Sequence, residues 1–125
     1  MAPVEAAFST LGLAITGSRE FEDFTAYTVQ VMGELSSKWE VDKRYSSFDA
    51  LHDALRAKFP SAALPELPGK KFFGNRDPDF VQQRGRDLQT YLQRLAGIDI
   101  VGRCEEVMLF LSSSDTGERP RRLDG

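Results

Sequence analysis

Two short basic stretches of this sequence carry side chains that bind phosphate in proteins. In the first, Arg44 offers a planar guanidinium that can hold a phosphate with two parallel N–H donors, and Tyr45 offers a flat apolar face with a polar tip. In the second, Lys70 and Lys71 directly follow a proline-containing segment, which would hold an ammonium group in place at low entropic cost. Each stretch is equally consistent with an ordinary solvated surface.

A third candidate is an arginine in an apolar stripe. Phe80, Arg84 and Leu88 follow one another in steps of four residues, so a helix would place all three on one face. A guanidinium on such a face needs a partner. That partner is either a carboxylate or carbonyl oxygen of the protein, or a phosphate or hydroxyl of a ligand in a cleft between the helix and the sheet.

The charge of the chain is unevenly distributed. The whole sequence has 16 Lys and Arg and 19 Asp and Glu, a net charge of −3. Residues 70–86 contain five basic and two acidic residues, a net charge of +3. Such a cationic region on an acidic body can attract an anionic ligand or membrane, whereas the acidic overall balance argues against a general nucleic-acid binder.

Two adjacent aromatic residues follow the lysines. Phe72 and Phe73 precede Gly74, and two neighbouring aromatic side chains in a loop rarely both enter the core. One exposed ring beside Lys71 would suit insertion into the interface of an anionic bilayer. The alternative is that both rings pack under the loop.

Alternating apolar residues predict three strands before the first of these stretches. A short connection at residues 33–37 makes an antiparallel hairpin of the second and third strands the simplest pairing. The alternating residues are Leu11, Leu13 and Ile15, then Tyr27, Val29 and Val31, then Trp39 and Val41.

Helical spacing of apolar residues begins after the strands. A capping box of Ser46 and Asp49 is predicted to start a helix that Pro60 stops. Two prolines in residues 64–69 favour a polyproline-type loop. Asp77 and Pro78 begin a long helix that ends near Gly97.

The last predicted element is a short helix at residues 107–111. Strands first and helices afterwards indicate an α+β fold, with a three-stranded antiparallel sheet packed against a helical subdomain. We expect one domain over residues 1–112 and a mobile tail over residues 113–125, where no apolar period is present.

Composition excludes several classes of protein. Hydrophobic residues make up 41% of the chain, enough for a core, and no apolar run approaches the length of a membrane span. The single Cys104 cannot form an internal disulfide, and residues 1–10 lack the pattern of a signal peptide, so a cytoplasmic location is expected. No catalytic residue, metal ligand or cofactor site is predicted, since His52 is the only histidine and is expected to be packed or partly exposed.

In their order and spacing, the motifs resemble those of the phox-homology (PX) domain over residues 11–111. They are Trp39-x-Val41-x-Lys43-Arg44-Tyr45-Ser46-Ser47-Phe48, Leu51-His52, Phe59-Pro60, Leu64-Pro65-x-Leu67-Pro68-x-Lys70, Phe73-Gly74-Asn75 and Phe80-Val81-x-x-Arg84-x-x-x-Leu88-x-x-Tyr91-Leu92. The fold of that family matches the elements predicted above.

The resemblance implies recognition of a phosphoinositide headgroup, most often phosphatidylinositol 3-phosphate, on the anionic surface of endosomal or vacuolar-type membranes. It implies that Arg44 holds the 3-phosphate, Tyr45 stacks under the inositol ring, Lys70 meets the 1-phosphate and Arg84 bonds the ring hydroxyls. Lys71 could substitute for Lys70 or assist it, and the sequence does not separate the two. The membrane-inserting loop of the family maps near Lys71 to Gly74, which favours Phe72 over Phe73 as the inserted ring.

One residue departs from the family pattern, and one alternative function competes with lipid binding. Members of the family often carry a second arginine after the helix arginine, and here that residue is Gly85. Some members bind proteins with little lipid affinity, and Pro65-x-x-Pro68 could dock in a groove for proline-rich peptides. Since one headgroup site gives modest affinity, stable residence on a membrane implies further domains or protein partners.

Overall fold

The computed structural model describes residues 11–33 and 37–123. Four antiparallel strands form one sheet in chain order: β1 (Gly12–Glu20), β2 (Thr25–Met32), β3 (Lys38–Arg44) and β4 (Arg121–Arg122). The helices are α1 (Tyr45–Lys58), α2 (Pro78–Ala96), α3 (Asp99–Gly102) and α4 (Glu105–Phe110). The α+β fold class and the three predicted strands are confirmed. The short α3 and β4 were not predicted.

The hydrophobic core lies between the sheet and the helices. Val29 on β2 is paired with Ile15 on β1 and with Val41 on β3. Val29 and Val41 are fully buried, as are Phe48 on α1 and Leu88 on α2. The apolar alternation of the strands and the helical spacing of α1 and α2 therefore meet in one cluster.

Helix α2 also binds the backbone of β1 through two glutamines. The Ile15 N–H donates to Gln89 Oε1 at 2.8 Å, and Gln93 Nε2 donates to the Leu13 carbonyl oxygen at 3.0 Å. A β-bulge between Ile15 and Gly17 follows directly. The position of α2 on the sheet is thus fixed by polar contacts as well as by apolar packing.

The helix ends show one confirmed prediction and one that was wrong. Asp77 accepts from the Phe80 N–H at 3.3 Å, with Pro78 in the first position of α2, and Gly97 follows its last residue. The predicted Ser46–Asp49 capping box is absent, because α1 begins at Tyr45 and no side chain caps it. The Asp49 carboxylate instead lies 3.5 Å from Lys70 Nζ.

The C-terminal segment differs from the mobile tail that the sequence predicts. Residues 113–123 lie along the outer edge of β3, where the Asp115 N–H donates to the Asp42 carbonyl oxygen at 2.8 Å and the Leu123 N–H to that of Lys38 at 2.9 Å. β4 pairs with β3 through Trp39–Arg122 and Glu40–Arg121. Polar groups make most of these contacts, so no apolar period marks the segment. Residues 124–125 and residues 34–36 of the predicted connection at residues 33–37 lie outside the described residues.

The buried side chain of Asp42 on β3 is the centre of a charged cluster. It is fully buried and accepts from Thr28 Oγ1 at 2.7 Å, from Arg19 Nη1 at 2.8 Å and from Arg121 Nη1 at 2.7 Å. Burial by itself would raise the pKa of this carboxyl, but the three donors outweigh burial and lower the pKa below its ordinary value. Asp42 is therefore ionised in the folded protein.

We predict that Asp42→Asn lowers the free energy of unfolding by about 2 kcal/mol at neutral pH, because two guanidinium groups lose an ionised acceptor. A lowered folded-state pKa gives stability that is complete above the unfolded-state pKa, about 4, and is lost as the pH falls through the folded-state pKa. Urea denaturation of both proteins between pH 3 and 7 should therefore show a gap that narrows toward acid. Asp53→Asn, which changes an exposed carboxyl on α1, is the control and should stay within about 0.5 kcal/mol of wild type.

Candidate functional site

A cleft of about 400 Å³ opens where β3 passes into α1. The β1–β2 turn, the loop after the proline segment and the first half of α2 form its other walls. All four predicted ligand-binding residues line it together with two of the predicted membrane-contact residues: Arg44, Tyr45, Lys70, Arg84, Lys71 and Phe72. The fold thus brings the two basic stretches and the helix arginine to one place.

Arg44 is the last residue of β3 and is exposed to solvent. Its guanidinium carbon lies 4.3 Å from the centre of the Phe24 ring, in the geometry of a cation–π contact. Phe24 in turn stacks on Phe21, with ring centres 4.9 Å apart. The turn between β1 and β2 therefore supplies an aromatic support that directs the Arg44 side chain along the wall of the cleft.

The preceding basic residue has a different role. Lys43 is buried and donates from Nζ to the Ser113 carbonyl oxygen at 2.9 Å. Its ammonium also lies 4.5 Å from the centre of the Phe110 ring. Because successive residues of a strand point to opposite faces, Lys43 supports the fold while Arg44 faces the cleft.

Tyr45, the first residue of α1, is half-buried against the proline segment. Its hydroxyl donates to the carbonyl oxygen of Pro68, and the Arg84 guanidinium carbon lies 4.1 Å from its ring centre. Burial raises the pKa of the Tyr45 hydroxyl, and the nearby Arg84 charge offsets part of that rise. The Tyr45 side chain is therefore fixed in the lining of the cleft as a neutral phenol.

Arg84 is buried on α2, in the apolar stripe where the sequence placed it. Its guanidinium lies between two rings, 4.1 Å from the centre of Tyr45 and 4.6 Å from that of Phe80. Nη2 donates to the carbonyl oxygen of Gly69. Of the two partners that the sequence left open for Arg84, the protein carbonyl oxygen is therefore present. A guanidinium has five N–H donors, so this bond leaves donors that can contact a ligand in the cleft.

The two lysines occupy different positions at the rim. Lys70 Nζ lies 3.5 Å from the Asp49 carboxylate, with a side chain that is 61% exposed. Lys71 Nζ lies 4.5 Å from the centre of the Phe80 ring. Pro68 and Gly69 immediately precede the two lysines, and their carbonyl groups are bonded by Tyr45 and Arg84. The proline segment therefore positions both ammonium groups at the cleft.

Arg76 ties the loop to the β1–β2 turn. It donates to Glu20 Oε1 at 3.0 Å, to the Glu22 carbonyl oxygen at 2.9 Å and to that of Phe21. Between Lys71 and Arg76 the chain turns at Gly74, whose φ of 71° favours glycine. The loop is therefore fixed at both ends and projects at its middle.

Phe72 and Phe73 form that projection. Their side chains are 81% and 88% exposed, the largest exposures among the large hydrophobic residues of the described ranges. The alternative that both rings pack under the loop is therefore wrong. Two exposed aromatic rings stand beside the cationic rim of the cleft.

Sequence reasoning missed three residues that shape the site. Phe24 supports Arg44, Asp49 faces Lys70, and the Asp115 carboxylate accepts from the backbone N–H of Arg44 at 2.8 Å. Each contact joins residues far apart in the chain or replaces a local pattern, so spacing gave no signal for it. Arg76 was counted only as part of the basic region.

Two residues considered for catalysis are packed elsewhere. His52 Nδ1 lies 2.8 Å from the Tyr91 hydroxyl oxygen, and its ring meets that of Tyr91 edge to face, which agrees with a packed, partly exposed histidine. Cys104 is buried with a free thiol. Over residues 11–33 and 37–123, no group of His, Cys, Asp or Glu side chains is placed to hold a metal ion, and no helix has the length and apolar character of a membrane span.

The PX domain family model matches residues 31–114. The chain belongs to the PX domain family, whose members are phosphoinositide-binding modules that target proteins to membranes. Within the described ranges, the sheet of this PX domain has four strands, and the fourth is only two residues long. The resemblance of its motifs to the family is thereby confirmed.

Several curated proteins are similar to this PX domain. The PX domain-containing protein kinase-like protein of Mus musculus is 33% identical over 84% of the chain, which is 18% of that protein. Serine/threonine-protein kinase Sgk3 of Rattus norvegicus is 45% identical over 58% of the chain and 14% of that protein. Sorting nexin-16 of Homo sapiens is 34% identical over 74% of the chain and 27% of that protein. The chain thus spans less than a third of the length of these relatives, and most of each kinase relative lies outside the match.

Solved structures agree with the fold. A designed CISK-PX domain superposes with a TM-score of 0.72 at 30% identity, covering 82% of this chain and 99% of that one. The mouse SNX19 PX domain, solved with a bound sulphate ion, gives a TM-score of 0.59 at 27% identity and covers 82% of this chain and 96% of that one.

We predict that Arg84→Met lowers the free energy of unfolding by about 2 kcal/mol, because the Gly69 carbonyl group loses its donor while the apolar stem of the side chain is kept. Arg86→Met, which removes the same charge from an exposed position of α2, should change stability by no more than about 0.5 kcal/mol. Chemical denaturation of the two variants checks this. Equal stability of the two would show that the Arg84 contact does not support the loop.

Proposed function

We propose that this PX domain binds the headgroup of phosphatidylinositol 3-phosphate and attaches its protein to endosomal membranes. The observation that carries the proposal is the convergence of Arg44, Tyr45, Lys70 and Arg84 on one cleft of about 400 Å³. Three of these side chains are cationic, and the fourth presents a flat ring. This is the chemistry that an inositol ring with two phosphates requires.

Each side chain has a distinct part in the proposed complex. Arg44 binds the 3-phosphate, since its guanidinium is exposed and is directed by the Phe24 ring. Lys70 binds the 1-phosphate that joins the headgroup to the lipid tails, because it lies at the cleft rim beside the exposed loop. The inositol ring lies on Tyr45, and its hydroxyl groups accept from Arg84.

Membrane contact follows from the same orientation. Lys71 lies next to the two exposed rings, so a headgroup entering the cleft from the bilayer would bring Phe72 and Phe73 against the lipid interface. A lysine near an anionic leaflet contributes about 1 kcal/mol of attraction. Headgroup capture and shallow insertion would therefore reinforce each other.

The comparisons support binding of an anion by a PX domain. A sulphate ion is bound to the mouse SNX19 PX domain, and a sorting nexin is among the curated relatives. The preference for the 3-phosphorylated lipid and for endosomes remains part of our proposal. So does the assignment of residues 1–112 to one PX domain.

The proline segment fits a supporting role better than a docking role. Leu64 and Leu67 pack against the core, and the carbonyl groups of Pro68 and Gly69 are held by Tyr45 and Arg84. A segment that is held both by apolar packing and by hydrogen bonds cannot lie freely in the groove of a proline-binding domain. It acts as the rigid support of Lys70, which favours lipid binding over peptide docking.

We predict that Arg44→Gln abolishes selective binding to vesicles containing phosphatidylinositol 3-phosphate while leaving the fold intact, because the side chain is exposed. Sedimentation with vesicles that contain each phosphoinositide in turn, at fixed salt, measures the effect. Arg56→Gln is the matched control: it makes the same change on an exposed residue of α1 outside the cleft and should bind as wild type does. Binding that follows total lipid charge and survives Arg44→Gln would contradict the site.

We also predict that replacing Phe72 and Phe73 together by Ser weakens vesicle binding by at least about tenfold, since about 1.4 kcal/mol or more of apolar burial is lost. Binding of a soluble short-chain form of the lipid should change by less than about twofold. Leu109→Ser, at a residue 62% exposed on α4, is the control for loss of an exposed apolar side chain. Equal losses for the vesicle and the soluble lipid would contradict insertion. The two single variants then show whether Phe72 carries more of the effect, as the resemblance to the family implies.

A further inference from the structure

The family match ends at Ser114, and the next residue bonds directly to the backbone of the proposed phosphate-binding arginine. The Asp115 Oδ2 atom accepts from the Arg44 N–H at 2.8 Å. Asp115 also donates its own N–H to the Asp42 carbonyl oxygen at 2.8 Å. One aspartate therefore spans the last three residues of β3 from outside the sheet.

Its neighbours in the chain extend this contact. Ser114 Oγ accepts from the Asp42 N–H at 3.0 Å, and the Ser113 carbonyl oxygen accepts from Lys43 Nζ at 2.9 Å. The register of β4 on β3 covers only Trp39 and Glu40. The end of β3 next to the cleft is thus held on its outer side by residues 113–115 instead of by a strand.

The negative charge of Asp115 is paired with Lys43, which does not line the cleft. Its Oδ1 atom lies 3.5 Å from Lys43 Nζ, a buried ammonium group. Burial lowers the pKa of Lys43, and the Asp115 carboxylate opposes that change, so Asp115 stabilises the buried ammonium. The Arg44 guanidinium lies instead over the Phe24 ring and keeps its charge available to an anion.

We propose that Asp115 is a positioning residue for Arg44 and that the segment after the family match thereby sets the affinity of the cleft for phosphate. The inference rests on the proposed function. Arg44 is exposed, with an aromatic ring on one side of its guanidinium, so the direction of its side chain depends on where the backbone at the β3–α1 junction is held. Binding falls steeply when such a group moves by about 1 Å, and a backbone contact to the arginine is the means of preventing that movement.

The test compares Asp115→Ala with Asp115→Asn and with Glu118→Ala. Alanine removes the acceptor for the Arg44 N–H, whereas asparagine keeps an oxygen at that position. Glu118 belongs to the same segment but bonds Arg19 and Thr116, so its loss loosens the segment and leaves the acceptor of the Arg44 N–H in place. If Asp115→Ala does not fold, Asp115→Glu replaces it, because the longer side chain displaces the carboxylate.

Two measurements are made on each folded variant. Titration with soluble short-chain phosphatidylinositol 3-phosphate should show a loss of about tenfold in affinity for Asp115→Ala, recovery to within about twofold for Asp115→Asn, and wild-type affinity for Glu118→Ala. Amide hydrogen exchange at Arg44 should be at least about tenfold faster in Asp115→Ala alone.

The outcomes separate this inference from the proposed function. If wild type does not bind the lipid, the proposed function fails and the inference fails with it. If wild type binds and Arg44→Gln does not, but Asp115→Ala binds like wild type, only the inference is overturned. An equal loss of affinity in Glu118→Ala would also overturn it, because it would reveal general support by the segment instead of positioning by Asp115.

Discussion

The Asp42 carboxylate on β3 takes a hydrogen bond from each of the other three strands of the described sheet: from Arg19 on β1, Thr28 on β2 and Arg121 on β4. A charge removed from water is costly unless it is paired and hydrogen-bonded, so these donors have to be in place in the folded protein. Two residues further along the same strand lies Arg44. The constraint that satisfies one buried charge therefore also determines where β3 ends and the cleft begins.

The cleft itself is held together by the groups that are proposed to bind its ligand. Tyr45 and Arg84 each bond a carbonyl group of the proline segment, and the Arg84 guanidinium lies between the rings of Tyr45 and Phe80. These contacts leave the loop little freedom before a ligand arrives. The entropy of ordering the site is thus lost during folding and not during binding, which favours affinity.

Periodic patterns predicted the elements well, because burial imposes its period on a strand or a helix. The alternation around Val29 and the four-residue steps through Arg84 both describe side chains that the structure places as expected. The clustering of Arg44, Tyr45, Lys70 and Arg84 was available only through the resemblance to a family, since no spacing rule joins a strand end to a helix forty residues later.

The remaining features depend on polar contacts between distant residues, which have no period. Asp115 meets Arg44 across 71 residues, and Arg121 meets Asp42 across 79. The sequence therefore predicts a tail without structure where the molecule has a fourth strand. The predicted capping box at Asp49 was wrong because a carboxylate close to the start of a helix can bind several partners. In the folded protein its partner is Lys70.

Gln89 and Gln93 form hydrogen bonds with backbone groups along the outer edge of β1. Unpaired strand edges invite pairing with another chain, and proteins gathered on a membrane meet one another at high local concentration. At Leu13 and Ile15 the backbone of β1 is bonded to glutamine side chains, and at the other side of the sheet residues 113–123 cover β3. These contacts therefore discourage two copies of the domain from joining edge to edge at these positions.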